Sequence, residues 1–226
     1  MTRPIEVRLP APEALGGSRS TSPFMSQNIP PSPTPEQLRA LDLVRSNKRF
    51  VLVGHVRPDG DCLGAQAAFA RTLTALGKDV WVINSDPLPP NLDYLAQAVR
   101  YRVYTNGELP AHDVSVFLDF CELERCGPLA APLRAAGSKK LVIDHHIHHG
   151  ERWWDEAFVD VRAAATGLLV WRMARELGVA LDAPAAAGVF TSIVTDTGWF
   201  KYSNTDAETF QVVSELVAAG VEPAKW

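Results

Sequence analysis

Four short apolar runs alternate through this chain with segments of helical period, and three of the four lead straight into clusters of aspartate and histidine. The runs occupy residues 49–54, 79–84, 114–118 and 140–143. The first, with Phe50 to Val53 unbroken by a polar residue, has the pattern of a strand covered on both faces, and the other three also read as strands. Helical spacing predicts helices over 36–47, with Thr34 as N-cap, and over 64–76, closed by Gly77. Further helices are predicted over 129–136, 165–177, 183–195 and 206–219. Strands alternating with helices predict an α/β fold, a parallel sheet flanked by helices on both faces. No internal repeat is visible.

In such sheets, ligands bind outside the carboxyl ends of the strands. The first run leads into His55, Asp59 and Asp61, the third ends at Asp119, and the fourth at Asp144, His145 and His146. A later apolar segment, 188–194, ends at Asp196. Carboxylates gathered at one edge repel one another unless they are paired or hold metal. Two divalent cations would offset about four of them, and imidazole favours manganese, iron, cobalt or zinc over magnesium or calcium. No cysteine belongs to the pattern, which argues against a closed structural zinc site. A mixed Asp/His site holding two metals about 3.5–4 Å apart suits phosphoester hydrolysis by an activated bridging hydroxide.

These residues carry a family resemblance. Taken in order, His55-x-x-x-Asp59-x-Asp61, Asp119, Asp144-His145-His146 and Asp196 resemble the four motifs of the DHH phosphoesterase family, over roughly residues 41–223. Single-strand exonucleases of the RecJ type usually lack the leading histidine. The stretch around Pro58-Asp59-Gly60-Asp61, with Thr195-Asp196-Thr197-Gly198 and Asn204-Thr205 later on, looks most like the nanoRNase A-like branch. That branch comprises oligoribonucleases that also act on phosphoadenosine phosphate.

The resemblance implies a site. His55, Asp59 and Asp119 would bind one metal, and Asp61, Asp119, His145 and Asp196 the second, with Asp119 bridging and manganese the expected ion. His146 would face the scissile phosphate as donor or proton source. Asp144 would act behind it or hold a histidine in its binding tautomer. Two positions depart from the pattern. Ala65 stands where relatives often have serine, and Lys201 where they often have arginine. If Lys201 touches substrate phosphate, its point charge replaces a bidentate fork.

Other residues read as structural. His148 and His149 are expected to be solvated loop histidines, Cys62 a buried small hydrophobe, and Trp153-Trp154 a cover for the core. Thr166-Gly167 is expected only to open a helix. Taken singly, Asp119 would serve as a helix N-cap and Asp196 as a turn residue.

Charge limits the class of partner. With 22 basic and 26 acidic residues the net charge is −4, which excludes the basic stripe of a protein holding long nucleic acid mainly by phosphate neutralisation. No apolar run reaches the length of a membrane span. Three cysteines are too few for a disulfide framework and fit a cytoplasmic setting. Eight of the 17 prolines fall in the first 35 residues, so 1–35 is expected to be disordered, and Met25 offers an alternative start. The folded catalytic domain is expected over 36–220. Residues 221–226 are expected to begin a linker to the family's second domain, DHHA1, whose glycine-rich motif is not found in this sequence.

The function expected is metal-dependent hydrolysis of short oligonucleotides and of phosphoadenosine phosphate, weak and poorly selective in this chain alone. The partners expected are such nucleotides, with no membrane and with a homodimer left open. The alternatives are a family II inorganic pyrophosphatase, a cyclic-dinucleotide phosphodiesterase or a non-catalytic nucleotide-binding module.

Overall fold

A computed structural model describes residues 30–225. The disorder expected of 1–35 therefore lies, up to residue 29, outside the described residues. The chain opens with α1 (Pro35–Ser46), capped by Thr34 and Gln37 in a reciprocal capping box. Then come β1 (Arg49–Val53), α2 (Gly60–Ala75), β2 (Asp79–Asn84), β3 (Tyr101–Val103) and β4 (Val114–Leu118). α3 (Ala130–Ala135), β5 (Lys139–Asp144), β6 (Glu156–Val159), α4 (Thr166–Glu176), α5 (Ala183–Asp196) and α6 (Ala207–Ala218) complete the order.

The six strands form one sheet in the order β3-β2-β1-β4-β5-β6, and every neighbouring pair is parallel. The predicted α/β class is what the molecule shows. Two strands were not predicted, β3 and β6, and they are the two edges. Tyr101-Arg-Val and Glu156-Ala-Phe-Val are short and partly polar because only one side of each finds a partner.

Alternate side chains of the central strands feed two cores. Phe50, Leu52, Val116, Leu118 and Ile143 pack with α1, α2, α4 and α5 on one face. Val51, Val53, Phe117 and Val142 pack with Leu129, Leu133 and the loop bearing Phe120 on the other. Trp153 belongs to this second core, 4.8 Å from the ring of Phe117, as expected of a covering residue. Cys62, Cys121 and Cys126 are free and buried. Among the described residues no helix is long and apolar enough to cross a membrane.

The order reverses direction at β1. The chain steps outward from β1 to β2 and β3, then returns to lay β4 on the other side of β1. The loops leaving β1 and β4 thus separate, and a crevice opens between their carboxyl ends. His55, Asp59 and Asp61 follow β1, and Asp119 follows β4.

Candidate metal centre

α2 starts at Gly60, earlier than expected, because the Asp59 carboxylate caps it. Asp59 Oδ1 accepts from the N–H of Asp61 at 3.0 Å and of Cys62 at 3.1 Å. The cap fixes Asp61 in the first helical turn, where it is almost wholly buried. Glycines then let α5 approach. A Cβ at Gly64 would fall 2.4 Å from Gly188 O, and one at Gly60 2.2 Å from Thr195 Oγ1. This contact places Asp61 beside Ser192 and the end of α5, where Asp196 is the last helical residue rather than part of a turn.

Asp61 is held from three directions. Its carboxylate accepts from Thr166 N at 3.0 Å, Gly167 N at 3.3 Å and the Ser192 hydroxyl. The first two are free amides at the N-terminus of α4, which favours negative charge there. Thr166 also donates its hydroxyl to Asp119 Oδ1 at 3.0 Å. Asp119 is not a helix cap: it leaves β4 with φ of 71°, a conformation rare for a side-chain-bearing residue. Asn204 donates to the Asp196 carboxylate at 3.3 Å and to its carbonyl at 3.1 Å.

The centre of the arrangement is His145. Its Nδ1 lies 3.0 Å from Ala163 O. A carbonyl only accepts, so Nδ1 carries the proton and Nε2 presents its lone pair. That Nε2 is 3.4 Å from Asp61 Oδ2, 3.6 Å from Asp196 Oδ2 and 3.8 Å from Asp119 Oδ1. It is buried and meets no hydrogen-bond partner. A lone pair facing three carboxylates is stable only around a cation, either a proton or a metal ion. In the metal-free chain burial opposes charge on His145, but Asp61 and Asp196 outweigh it and lift its pKa to about 9. Burial pushes Asp119 well above the usual carboxylate range, reinforced by the charges of Asp61, Asp59 and Asp144. Burial also raises Asp196, with Asp61 adding to it. For Asp61 burial is outweighed by His145, Ser192 and Thr166, and its pKa falls. These nitrogen and oxygen donors fit a divalent transition metal.

His55 repeats the device. Its Nδ1 lies 2.9 Å from Val56 O, leaving Nε2 3.4 Å from Asp119 Oδ2. Asp119 therefore stands between His55 and His145. Beside His55 and Asp119 the third nearby donor is the thiol of Cys62, all three ligand atoms lying within 4.8 Å of one another. Burial, then the charge of Asp119, raises that thiol well above its ordinary pKa, which makes it a poor ligand as it stands. Asp59, expected here, keeps one oxygen on the amides of α2.

His146 is half exposed, with Nδ1 2.7 Å from Asp144 Oδ1. Asp144 is wholly buried, and its Oδ2 accepts from the Cys121 thiol at 2.9 Å. The hydrogen bond that His146 donates to Asp144 raises the pKa of His146 despite burial. Lys201 is exposed beyond α5 and has no side-chain partner among the described residues. His148 is only part-exposed: its ring packs 4.8 Å from that of Trp154, so it is not the solvated histidine expected. His149 is exposed.

Thr166, Ser192, Asn204 and Cys121 were not expected in the site. A hydroxyl within an apolar helix such as α5, or a thiol in the bend after β4, carries no periodic signal. Only Asn204 was foreshadowed, in the resemblance at Asn204-Thr205.

The family model for the DHH family N-terminal domain matches residues 49–221. A bifunctional oligoribonuclease and PAP phosphatase NrnA of Thermus thermophilus is 35% identical over 171 residues, covering 76% of this chain and 50% of the relative. Its namesake in Mycoplasma pneumoniae is 30% identical over 188 residues, 82% of this chain and 57% of the relative. The chain thus spans about half the length of the curated relatives it matches. Among solved structures, an exopolyphosphatase-related protein of Bacteroides fragilis superposes with a TM-score of 0.77 at 25% identity, over 83% of this chain and 58% of that one.

Proposed function

The chain belongs to the DHH family, and from that membership we propose that it is a metal-dependent phosphoesterase. Its substrates are short oligonucleotides, cleaved to mononucleotides, and 3′-phosphoadenosine 5′-phosphate, cleaved to AMP. The observation that carries this reading is His145 Nε2, buried without a hydrogen-bond partner and faced by Asp61, Asp119 and Asp196. The relatives named for oligoribonuclease and PAP phosphatase activity support the substrate class.

Asp61, Asp119, His145 and Asp196 would hold one divalent cation, manganese, and His55, Asp59 and Asp119 a second. When bound, such ions polarise phosphoryl oxygens and make water acidic enough to attack at neutral pH. The chain's own groups do the rest. Asp144 holds His146 through Nδ1, leaving Nε2 to donate to a phosphoryl oxygen or to the leaving oxygen. Asp144 stays ionised, its pKa held down by His146 and Cys121 against the effect of burial. Lys201 meets substrate phosphate as a point charge.

The test is a substrate panel run with Mn²⁺: pApA, longer RNA and DNA, phosphoadenosine phosphate, cyclic dinucleotides and pyrophosphate. Release of mononucleotide from pApA, lost in Asp61→Ala, is expected. Hydrolysis of pyrophosphate alone would replace this reading with a pyrophosphatase. Metal binding without turnover on any substrate would make the chain a nucleotide-binding module.

A further inference from the structure

Two arginines beside the centre are unspent. Every other described arginine has its guanidinium on a carboxylate, or on a carbonyl and an aromatic ring. Arg57 and Arg125 have no side-chain partner among the described residues, and both are exposed. They are not scattered. Arg57 lies on the loop after β1, between His55 and Asp59, and Arg125 in the short 3-10 helix (Leu123–Leu129) of the loop after β4, beyond Asp119.

The two loops are joined by their backbones. Val56 donates its N–H to Arg125 O at 2.7 Å. Gly127, at φ of 62°, allows the approach, since a Cβ there would fall 2.6 Å from Val56 Cγ1. The loop after β2 closes the knot: Ser85 donates to Cys126 O at 2.5 Å, and Asp86 accepts the N–H of Arg57 at 2.6 Å. Arg57 itself is left-handed, with φ of 53°. That conformation is costly for any residue but glycine, and a following proline, here Pro58, favours extended backbone. A bulky side chain at such a position points to use of the side chain. Arg125 follows β4 four residues after Cys121, whose thiol touches Asp144, so the pair borders the centre.

We propose that Arg57 and Arg125 form a phosphate subsite beside the metal centre, taking a second phosphate of the substrate, one that is not cleaved. The ligand class is a nucleotide bearing at least two separate phosphate groups. Guanidinium forks suit phosphate oxygens bidentately, and neither fork is occupied by a carboxylate of the site. The proposal rests on the phosphoesterase reading above.

The experiment compares the parent with Arg57→Ala, Arg125→Ala, the double variant and Arg125→Lys. Kinetics with Mn²⁺ use pApA, which carries a second phosphate, and bis(p-nitrophenyl) phosphate, which does not. Each single alanine variant should raise KM for pApA about tenfold, the double variant further, as expected for lost charge-assisted hydrogen bonds. Values for bis(p-nitrophenyl) phosphate should stay within about twofold, and Arg125→Lys should recover only part of the loss. Calorimetry with a phosphorothioate analogue of pApA measures binding without turnover and should show the same losses. Equal KM and equal affinity in the parent and double variant would overturn the subsite. If the parent hydrolyses neither substrate, the phosphoesterase reading falls, and the calorimetric arm still decides the arginine pair.

Discussion

Asp144 Oδ1 lies 2.7 Å from His146 Nδ1, and the same oxygen accepts the backbone N–H of His145 at 2.8 Å and of His146 at 3.2 Å. One buried carboxylate therefore sets both the bend of the chain after β5 and the orientation of the ring. Asp144→Asn keeps an acceptor but removes the charge. Asp144 raises the pKa of His146, so the variant's His146 loses its proton at lower pH. If protonated His146 is the donor, the alkaline limb of the kcat profile moves to lower pH. The rate on pApA should fall about 10- to 100-fold. A pH–rate profile of parent and variant checks both.

Thr166→Val removes the hydroxyl on Asp119 while keeping shape and the backbone N–H on Asp61. Mn²⁺ affinity should fall about 10- to 100-fold, as for other partners of metal ligands. Stability should change by about 1 kcal/mol, the net worth of one hydrogen bond. Calorimetric titration and thermal unfolding separate the two effects.

Gly64→Ala strikes the contact between α2 and α5. The new Cβ would meet Gly188 O, a backbone atom that cannot turn aside. Stability should drop by about 1–3 kcal/mol, and Mn²⁺ binding should weaken because Asp61 and Asp196 lie on the two separated helices. Gly137→Ala is the control, since nothing lies within 4 Å of its Cβ. Denaturant unfolding of both variants tests this.

These particulars show what was legible in the chain. The β1 and β4 runs and the acids that follow them were plain, because buried parallel strands are continuous apolar runs and their carboxyl ends carry the chemistry. β3 and β6 were hidden because edge strands need no such run. α2 begins four residues before its predicted start at residue 64 because the side chain of Asp59, predicted as a ligand, also caps the helix. Thr166 looked merely structural. Its role on Asp61 and Asp119 arises from the packing of α4 against α2, which no local pattern records.

Acid should compete with metal at His145. Its pKa in the metal-free chain is about 9, so below that pH a cation must displace a proton to bind. Apparent Mn²⁺ affinity should therefore rise with pH toward about 9, by up to about tenfold per unit for the one proton. Calorimetry in buffers of different ionisation enthalpy counts that proton, and His145→Ala should abolish it.

Crystals of the parent chain soaked in Mn²⁺ and measured at the manganese absorption edge examine the centre most directly. The account predicts an anomalous peak within bonding distance of His145 Nε2 and of carboxylate oxygens from Asp61, Asp119 and Asp196, lost in His145→Ala. No peak there, or a peak bound only elsewhere on the chain, would contradict it.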